Sequence, residues 1–330
     1  MKTVEQLITM QDTYLKELRE TYSVFEKVGS GADKVVYRAK KGEKEYAIKV
    51  MFYKKEVKSM ISINEKLNKK ILENKDHKHF FVLSRFFESK LKNSKKLPLF
   101  IYEVSPYYDF TLSKYFRKKD WEKEDFVSIF CQVIHGLTLL NKLNILFTDL
   151  KLLNIMIRVN DFRVSLNDFY DSLYDCTYKS CNEEMGYMFT YMDKVHPKTL
   201  HEQSWLLGLL MINVLEKKYK QIKLPEANYI NFSVYIRNEI NKKKKYPPAA
   251  FFQKYFYNLR KELLGYHDVI DVIQGLLNPD TQQRLKVEDV LKKSPFSEKC
   301  FTSQGSVKVS YRSKTAKSKK SSTKTKKNVN

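Results

Sequence analysis

Apolar residues recur at helical spacing near the start of the chain. Val4, Leu7, Ile8, Leu15, Leu18 and Tyr22 fall on one stripe, which predicts a leading amphipathic helix over residues 4–22. The period then changes. "FEKVGSGADKVVYRAKKGEKEYAIKVMFY" contains β-rich runs broken by "GSG" and "KKGEKE", the pattern of a hairpin-rich antiparallel sheet. Residues 54–74 are rich in Lys and Glu, with Val57, Met60, Ile61, Ile63, Leu67 and Ile71 at helical spacing, and predict one helix. "FFVLSRFFES" and "LPLFIYEV" predict two further strands joined by the polar "KLKNSKK".

Beyond Pro106 the pattern becomes helical. "EDFVSIFCQVIHGLTLLNKL" predicts a long helix, and "QSWLLGLLMINVLEKK" is too apolar to lie on a surface. "INKKKKYPPAAFF" reads as a basic loop stopped by Pro247 and Pro248, and "VIDVIQGLLN" and "KVEDVLKKSPF" close the folded part. From about Thr302 the chain is Ser, Thr and Lys with few apolar residues, the composition of a disordered tail. There are no internal repeats. A small strand-rich half precedes a larger helical half, which predicts two lobes with a ligand cleft between them.

Composition narrows the class. The 330 residues are 42% hydrophobic with 21 Phe and 22 Tyr, enough to build a core. No apolar run of about 18 residues occurs, so no membrane span is expected. The charged first twenty residues lack a signal-peptide core, which points to an intracellular protein of nucleus or cytoplasm. Cys131, Cys176, Cys181 and Cys300 include no C-x-x-C pair, so no zinc site of that kind is expected, and reduced thiols are. The net charge is +23. The segment from Thr302 carries nine Lys or Arg and no acid; subtracting nine leaves +14 on the body. Acidic partners suit such a surface: nucleic acid, acidic proteins or phosphorylated peptides.

The candidate chemistry lies in several short stretches. Gly29 and Gly31 of "VGSGADKVVY" stand between two strands, where missing side chains let backbone N–H groups approach phosphate. Lys49 lies on the next strand, placed to neutralise phosphate charge, and Glu65, sixteen residues on, could hold it through a charge-assisted bond. "FTDLKLLN" brings Asp149, Lys151 and Asn154 together, and Asp168 follows nineteen residues after Asp149. A base, a lysine and two oxygen ligands for a divalent metal meet the needs of phosphoryl transfer, which rests on positioning and charge neutralisation.

In order and spacing, "GSGADKVV", "YAIKV", Glu65, "FTDLKLLN" and "NDFYDS" resemble the signature set of the eukaryotic-type protein kinases. "QSWLLGLLMINVL" and "LLNPDTQQRLKVEDVLKKSPF" extend the resemblance over residues 23–300. It implies the α+β bilobal kinase fold: a helical extension over 1–22, an N-lobe over about 23–104, a C-lobe over about 105–300 and a basic tail over 301–330. It also implies the cofactors ATP and Mg²⁺. By the resemblance, Lys49 contacts the α/β-phosphates and pairs with Glu65, Asp149 is the base for the substrate hydroxyl, and Lys151 steadies the transferred group. Asn154 and Asp168 bind Mg²⁺, and Gly29 and Gly31 cover the phosphates. Val36, Ala47 and Met156 enclose the adenine, with Tyr102 as gatekeeper and Glu103 opening the hinge. The Lys at position 151 is similar to that of Ser/Thr kinases, and the basic surface favours acidic or pre-phosphorylated protein substrates. "GSGADKVVYRAK" and "YAIKVM" also resemble the monopolar-spindle checkpoint kinases and, as a second candidate, the casein-kinase-like group.

Some positions depart from the family pattern. Lys34 replaces a third glycine, Phe147 and Thr148 replace His and Arg, and Tyr170 replaces the last residue of D-F-G. "YMDKV" (191–195) replaces the A-P-E region, so Val195 cannot pair with Arg284. Gln203 replaces an Asp, which implies rearranged backbone bonds under the catalytic loop, and Lys69 stands where an apolar residue is usual. The missing Arg at 148 implies activity that needs no activation-loop phosphate. The alternative is a pseudokinase scaffold that binds a partner or nucleic acid through its basic surface and tail.

Overall fold

The computed structural model describes residues 3–31, 33–74, 78–168, 172–180, 199–218, 232, 235–236 and 249–300. Tyr170, "YMDKV", the basic loop before Pro247 and the tail from 301 lie outside the described residues.

The N-lobe is a five-stranded antiparallel sheet, in the order β1-β2-β3-β5-β4. Its strands are β1 (Ser23–Ser30), β2 (Lys34–Lys41), β3 (Lys44–Phe52), β4 (Arg85–Glu88) and β5 (Phe100–Pro106). Because side chains alternate along a strand, the register decides what each face carries. Val36 pairs with Lys49, and Lys49 with Glu103. One face therefore presents Lys34, Val36, Ala47, Lys49, Glu103 and Ser105. The other presents Val35, Tyr37, Ile48, Val50, Phe100, Tyr102 and Val104, all buried.

The expected leading helix divides at Met10 into α1 (Val4–Thr9) and α2 (Gln11–Leu18). Met10 at φ −92°, ψ 13° changes the helix direction, so both pieces lie on the apolar face of the sheet and bury Leu7, Tyr14, Leu15 and Leu18 there. Residues 3–22 are thus part of the N-lobe packing. Glu17 clamps the far side of the sheet: its carboxylate accepts from the Tyr102 hydroxyl at 2.7 Å, the Ser89 hydroxyl at 2.6 Å and the Lys90 N–H at 2.5 Å.

The helix α3 (Lys55–Glu73) buries Asn64, Leu67 and Ile71; Leu67 and Ile71 join the large C-lobe core, while Ile61 packs beside Met51 and Ile101 of the sheet. The strand expected over "FFVLSRFFES" shortens to β4, because Phe81 and the Val82 N–H instead bond to Leu166 in the C-lobe. That lobe begins with β6 (Phe110–Thr111), α4 (Leu112–Lys118) and α5 (Lys123–Lys142). The hairpin β7 (Ile155–Arg158) and β8 (Arg163–Leu166) pairs with β6 and carries the catalytic-loop sequence at its base. The helices α6 (Leu200–Lys218), α7 (Ala249–Glu262), α8 (His267–Leu276), α9 (Val287–Val290) and α10 (Phe296–Cys300) complete the lobe. α5 and α6 are buried along most of their length, as their apolar composition requires. Among the described residues no helix is long and apolar enough to cross a membrane.

One expectation is overturned. Cys131 and Cys300 are joined, 169 residues apart, because α10 folds back onto α5. Reduced thiols follow from spacing alone, which cannot reveal a contact made by the last helix of the fold.

Glu216, near the end of α6, is buried against α7. It accepts from the Tyr255 hydroxyl at 2.9 Å and the Phe232 N–H at 2.6 Å, yet burial outweighs both bonds and pushes its carboxyl up to about 7. The folded chain then holds a proton here that the unfolded chain loses at its ordinary 4.5, so stability from this group falls as pH rises between those values. Glu216→Gln keeps the acceptor and removes the charge. Urea denaturation should show it more stable than wild type at pH 8, by up to about 3 kcal/mol, with the gain fading toward pH 4.5.

Candidate active site

Lys49 is the centre of the cleft face. Its Nζ lies 2.8 Å from Glu103 Oε1, and the two residues are direct partners across the β3–β5 ladder. Both are buried, Lys49 to 7% exposure and Glu103 to 1%. Burial pushes the Lys49 ammonium down, but Glu103 and then Asp168 more than offset it and hold the group charged. The Ser84 hydroxyl donates to the same Glu103 oxygen at 2.7 Å. The Ser84 carbonyl in turn accepts from Asn68 Nδ2 at 2.8 Å, and Asn68 also donates to Asn64 Oδ1 at 2.8 Å. A polar chain runs from Lys49 through Glu103 and Ser84 to the inner stripe of α3.

The expected pairing of Lys49 with Glu65 is not made. Asn64 and Leu67 form the inner stripe of α3, and the helical turn carries Glu65 to the exposed side along with Lys69. The placements of Tyr102 and Glu103 also change. Glu103 faces the cleft as the lysine's partner rather than opening a hinge, and alternation turns Tyr102 to the opposite face, against Glu17. The signal was in the sequence: Glu103 is the single charge in the apolar run "LFIYEV", and a charge in a buried strand needs a partner.

Gly29 pairs with Val36 across β1 and β2, and Val36 and Ala47 lie on the same sheet face as Lys49. A Cβ added at Gly29 would meet nothing within 4 Å, so packing does not demand glycine there, and the space beside its backbone is open. Gly31 donates its N–H to the Lys34 carbonyl at 2.8 Å, closing the turn. Val36 and Ala47 are half-buried on the polar face of the sheet. Met156 alternates with the buried Ile155 and Ile157, and so points away from the C-lobe core.

Below the sheet, the catalytic-loop sequence forms a compact polar cluster. Asp149 Oδ2 accepts from Lys151 Nζ at 2.6 Å and Asn154 Nδ2 at 2.7 Å. Asn154 Nδ2 also reaches the Asp149 carbonyl at 3.0 Å. The Asn154 carbonyl accepts from the Asn167 N–H at 2.8 Å, which fastens the end of β8 to the loop and delivers Asp168 beside it. Asp168 has φ of 66°, a left-handed conformation that Asp tolerates better than most residues. Its Oδ2 accepts from Lys34 Nζ at 3.2 Å, so the residue replacing the third glycine bridges the two lobes. Burial pushes the Asp168 carboxyl up, but Lys49, then Lys34, and Lys151 overcome this and hold it below the usual range.

The loop is held from beneath by Gln203, which is fully buried. Its Oε1 accepts from the Phe147 N–H at 2.7 Å, while Nε2 donates to Asn141 Oδ1 at 2.7 Å and the Leu137 carbonyl at 3.3 Å. The amide thus performs the backbone anchoring for which a rearrangement was expected. Phe147 is buried in the C-lobe core, while Phe169, its expected stacking partner, lies outside the described residues. Arg284 bonds the carbonyls of Asn278 and His201, and its guanidinium lies 4.9 Å from the Trp205 ring centre.

Compared with known proteins, residues 22–296 match the family model described as Protein kinase domain. No curated protein matches the chain.

Gln203→Leu preserves the side chain's bulk but strands the Phe147 N–H and Asn141. The expected loss is about 2–4 kcal/mol for the two buried groups, checked by denaturant unfolding at constant m-value.

Proposed function

Because the chain belongs to the protein kinase family, a family of phosphotransferases that use ATP with a divalent metal and act on protein substrates, we propose that this chain is an active Ser/Thr kinase that uses Mg²⁺ and works without an activation-loop phosphate. The observation that carries this reading is the buried Lys49–Glu103 pair, built within one sheet and directed at Asp168.

The residues present fit the nucleotide and its metal. Half-buried Val36 and Ala47 offer an apolar surface on the Lys49 face of the sheet, and Gly29 leaves open space beside its backbone. Asp168 and the Asn154 side chain supply hard oxygen donors of the kind Mg²⁺ takes. When bound, the metal would neutralise charge on the phosphate oxygens.

The chain's own groups then have defined tasks. Lys49 carries a positive charge into a buried cleft, where it orients the phosphates. Asp149, oriented through Oδ2 by Lys151 and Asn154, accepts the proton of the incoming hydroxyl through its second oxygen. Lys151 stays beside it and offsets negative charge on the group in transit. Lys34, held on Asp168, can move to phosphate when nucleotide enters. Independence from an activating phosphate follows from two anchors already made: Glu103 holds Lys49 without Glu65, and Gln203 holds the loop that has Thr148 in place of Arg.

Substrate preference is read from the groove beside Lys151. A cavity of about 230 Å³ is lined by Leu152, Leu153, Leu206, Leu210, Lys151 and Lys217. An apolar side chain near the target hydroxyl, followed by acidic or phosphorylated residues, suits this lining and the basic surface. The tail from 301 supplies a separate basic segment for acidic partners or nucleic acid.

The test is transfer of labelled γ-phosphate from Mg-ATP to an acidic protein in wild type, Glu103→Gln and Glu65→Gln. Wild type should transfer. Glu103→Gln should lose about 10²-fold in kcat/KM, because Lys49 is left without its orienting charge. Glu65→Gln, a change at an exposed position, should stay within about twofold. A large loss at Glu65 with none at Glu103 would overturn the reading.

A further inference from the structure

Outside the cleft, Cys131, His135 and Cys300 converge at the back of the C-lobe. Cys131 and His135 are four residues apart on α5, so their side chains leave the helix on one face. The short helix α10 brings Cys300 onto the same spot, and the sulfur and ring-nitrogen atoms of the three all lie within 4.8 Å of one another. Cys131 is 2% exposed and Cys300 9%. The His135 ring stacks on Phe80, with centroids 5.3 Å apart and planes 6° from parallel. Phe80 is in turn fixed next to the C-lobe hairpin, because the adjacent His79 carbonyl accepts from the Ser165 hydroxyl at 2.8 Å. The imidazole therefore meets the two sulfurs already oriented, as metal-binding histidines are by their outer contacts.

The geometry points to a metal site: in its reduced form, this chain binds one zinc-like divalent ion through Cys131, His135 and Cys300, which clamps α10 to α5. Two sulfurs and one imidazole nitrogen form a ligand set that selects zinc over harder ions. Bond lengths of about 2.3 Å to sulfur and 2.0 Å to nitrogen place tetrahedral ligands roughly 3.5–3.8 Å apart; the two sulfurs, covalently bonded here, must separate to that spacing on reduction. Water completes the shell. The Cys131–Cys300 bond is the oxidised alternative of the same site. A phosphine reductant converts the disulfide and one water into two thiols and the phosphine oxide. The ion then displaces the two thiol protons and is held by two thiolates and the neutral imidazole. Neither partner spacing resembles a sequence motif, since the third ligand is 169 residues from the first.

The experiment uses the full chain, reduced with a water-soluble phosphine and freed of metal, then titrated with Co²⁺. One equivalent should produce the intense visible bands of tetrahedral cobalt and thiolate charge-transfer absorption in the near ultraviolet. Zn²⁺ should bleach both and raise Tm. Cys300→Ser, at the edge of the fold, and His135→Asn, which keeps both thiols, should each weaken binding at least tenfold, while Cys176→Ser should bind as wild type. Absent bands in the reduced chain, failure of the bond to reduce without unfolding, or bands that survive in Cys131→Ser/Cys300→Ser would each overturn the assignment.

Discussion

The cleft is organised around one buried ion pair. Lys49 and Glu103 are cross-strand neighbours, so the sheet register itself sets their 2.8 Å contact. A charge buried in this way is tolerable only with a close partner, and the partner comes from the neighbouring strand of the same sheet. The same register puts Tyr102 on the opposite face, where Glu17 receives its hydroxyl, and so links the N-terminal helices to the strand that holds Glu103. Altering the register by one residue would exchange the two faces, exposing the apolar cluster and removing the lysine's partner.

This arrangement changes how α3 is coupled to the site. The helix does not supply the carboxylate. It contributes Asn64 and Asn68, which reach Glu103 only through Ser84. Amide hydrogen bonds carry no net charge, so a displacement of α3 would loosen one bond to a carbonyl and leave the ion pair intact. Lys49 is therefore positioned by the sheet, and Asp149 by a loop fastened through Gln203.

Much of this was legible in the chain. Alternation and helical periodicity marked the lobes, and the cluster of Asp149, Lys151 and Asn154 was visible because its members lie within six residues, which the turn at Leu152–Asn154 folds back on itself. The partner of Lys49 was only half legible: the lone charge in "LFIYEV" marks Glu103 as needing a partner, but the choice between Glu65 and Glu103 is decided by helix rotation and strand register. Glu65 loses by a single position on α3, since Asn64 occupies the inner stripe. The division of the first helix at Met10 and the meeting of Cys131 with Cys300 share that cause: each is fixed by long-range packing, which leaves no mark on local spacing.

The central claim is that this polar cluster transfers phosphate, with Asp149 as the base. The most direct measurement is the single-turnover rate of γ-phosphate transfer from Mg-ATP in wild type and Asp149→Asn, with nucleotide affinity measured in parallel. The account predicts that affinity is retained while transfer falls by about 10²–10⁴-fold. Equal transfer by the two proteins, or none from wild type despite bound nucleotide, would contradict it.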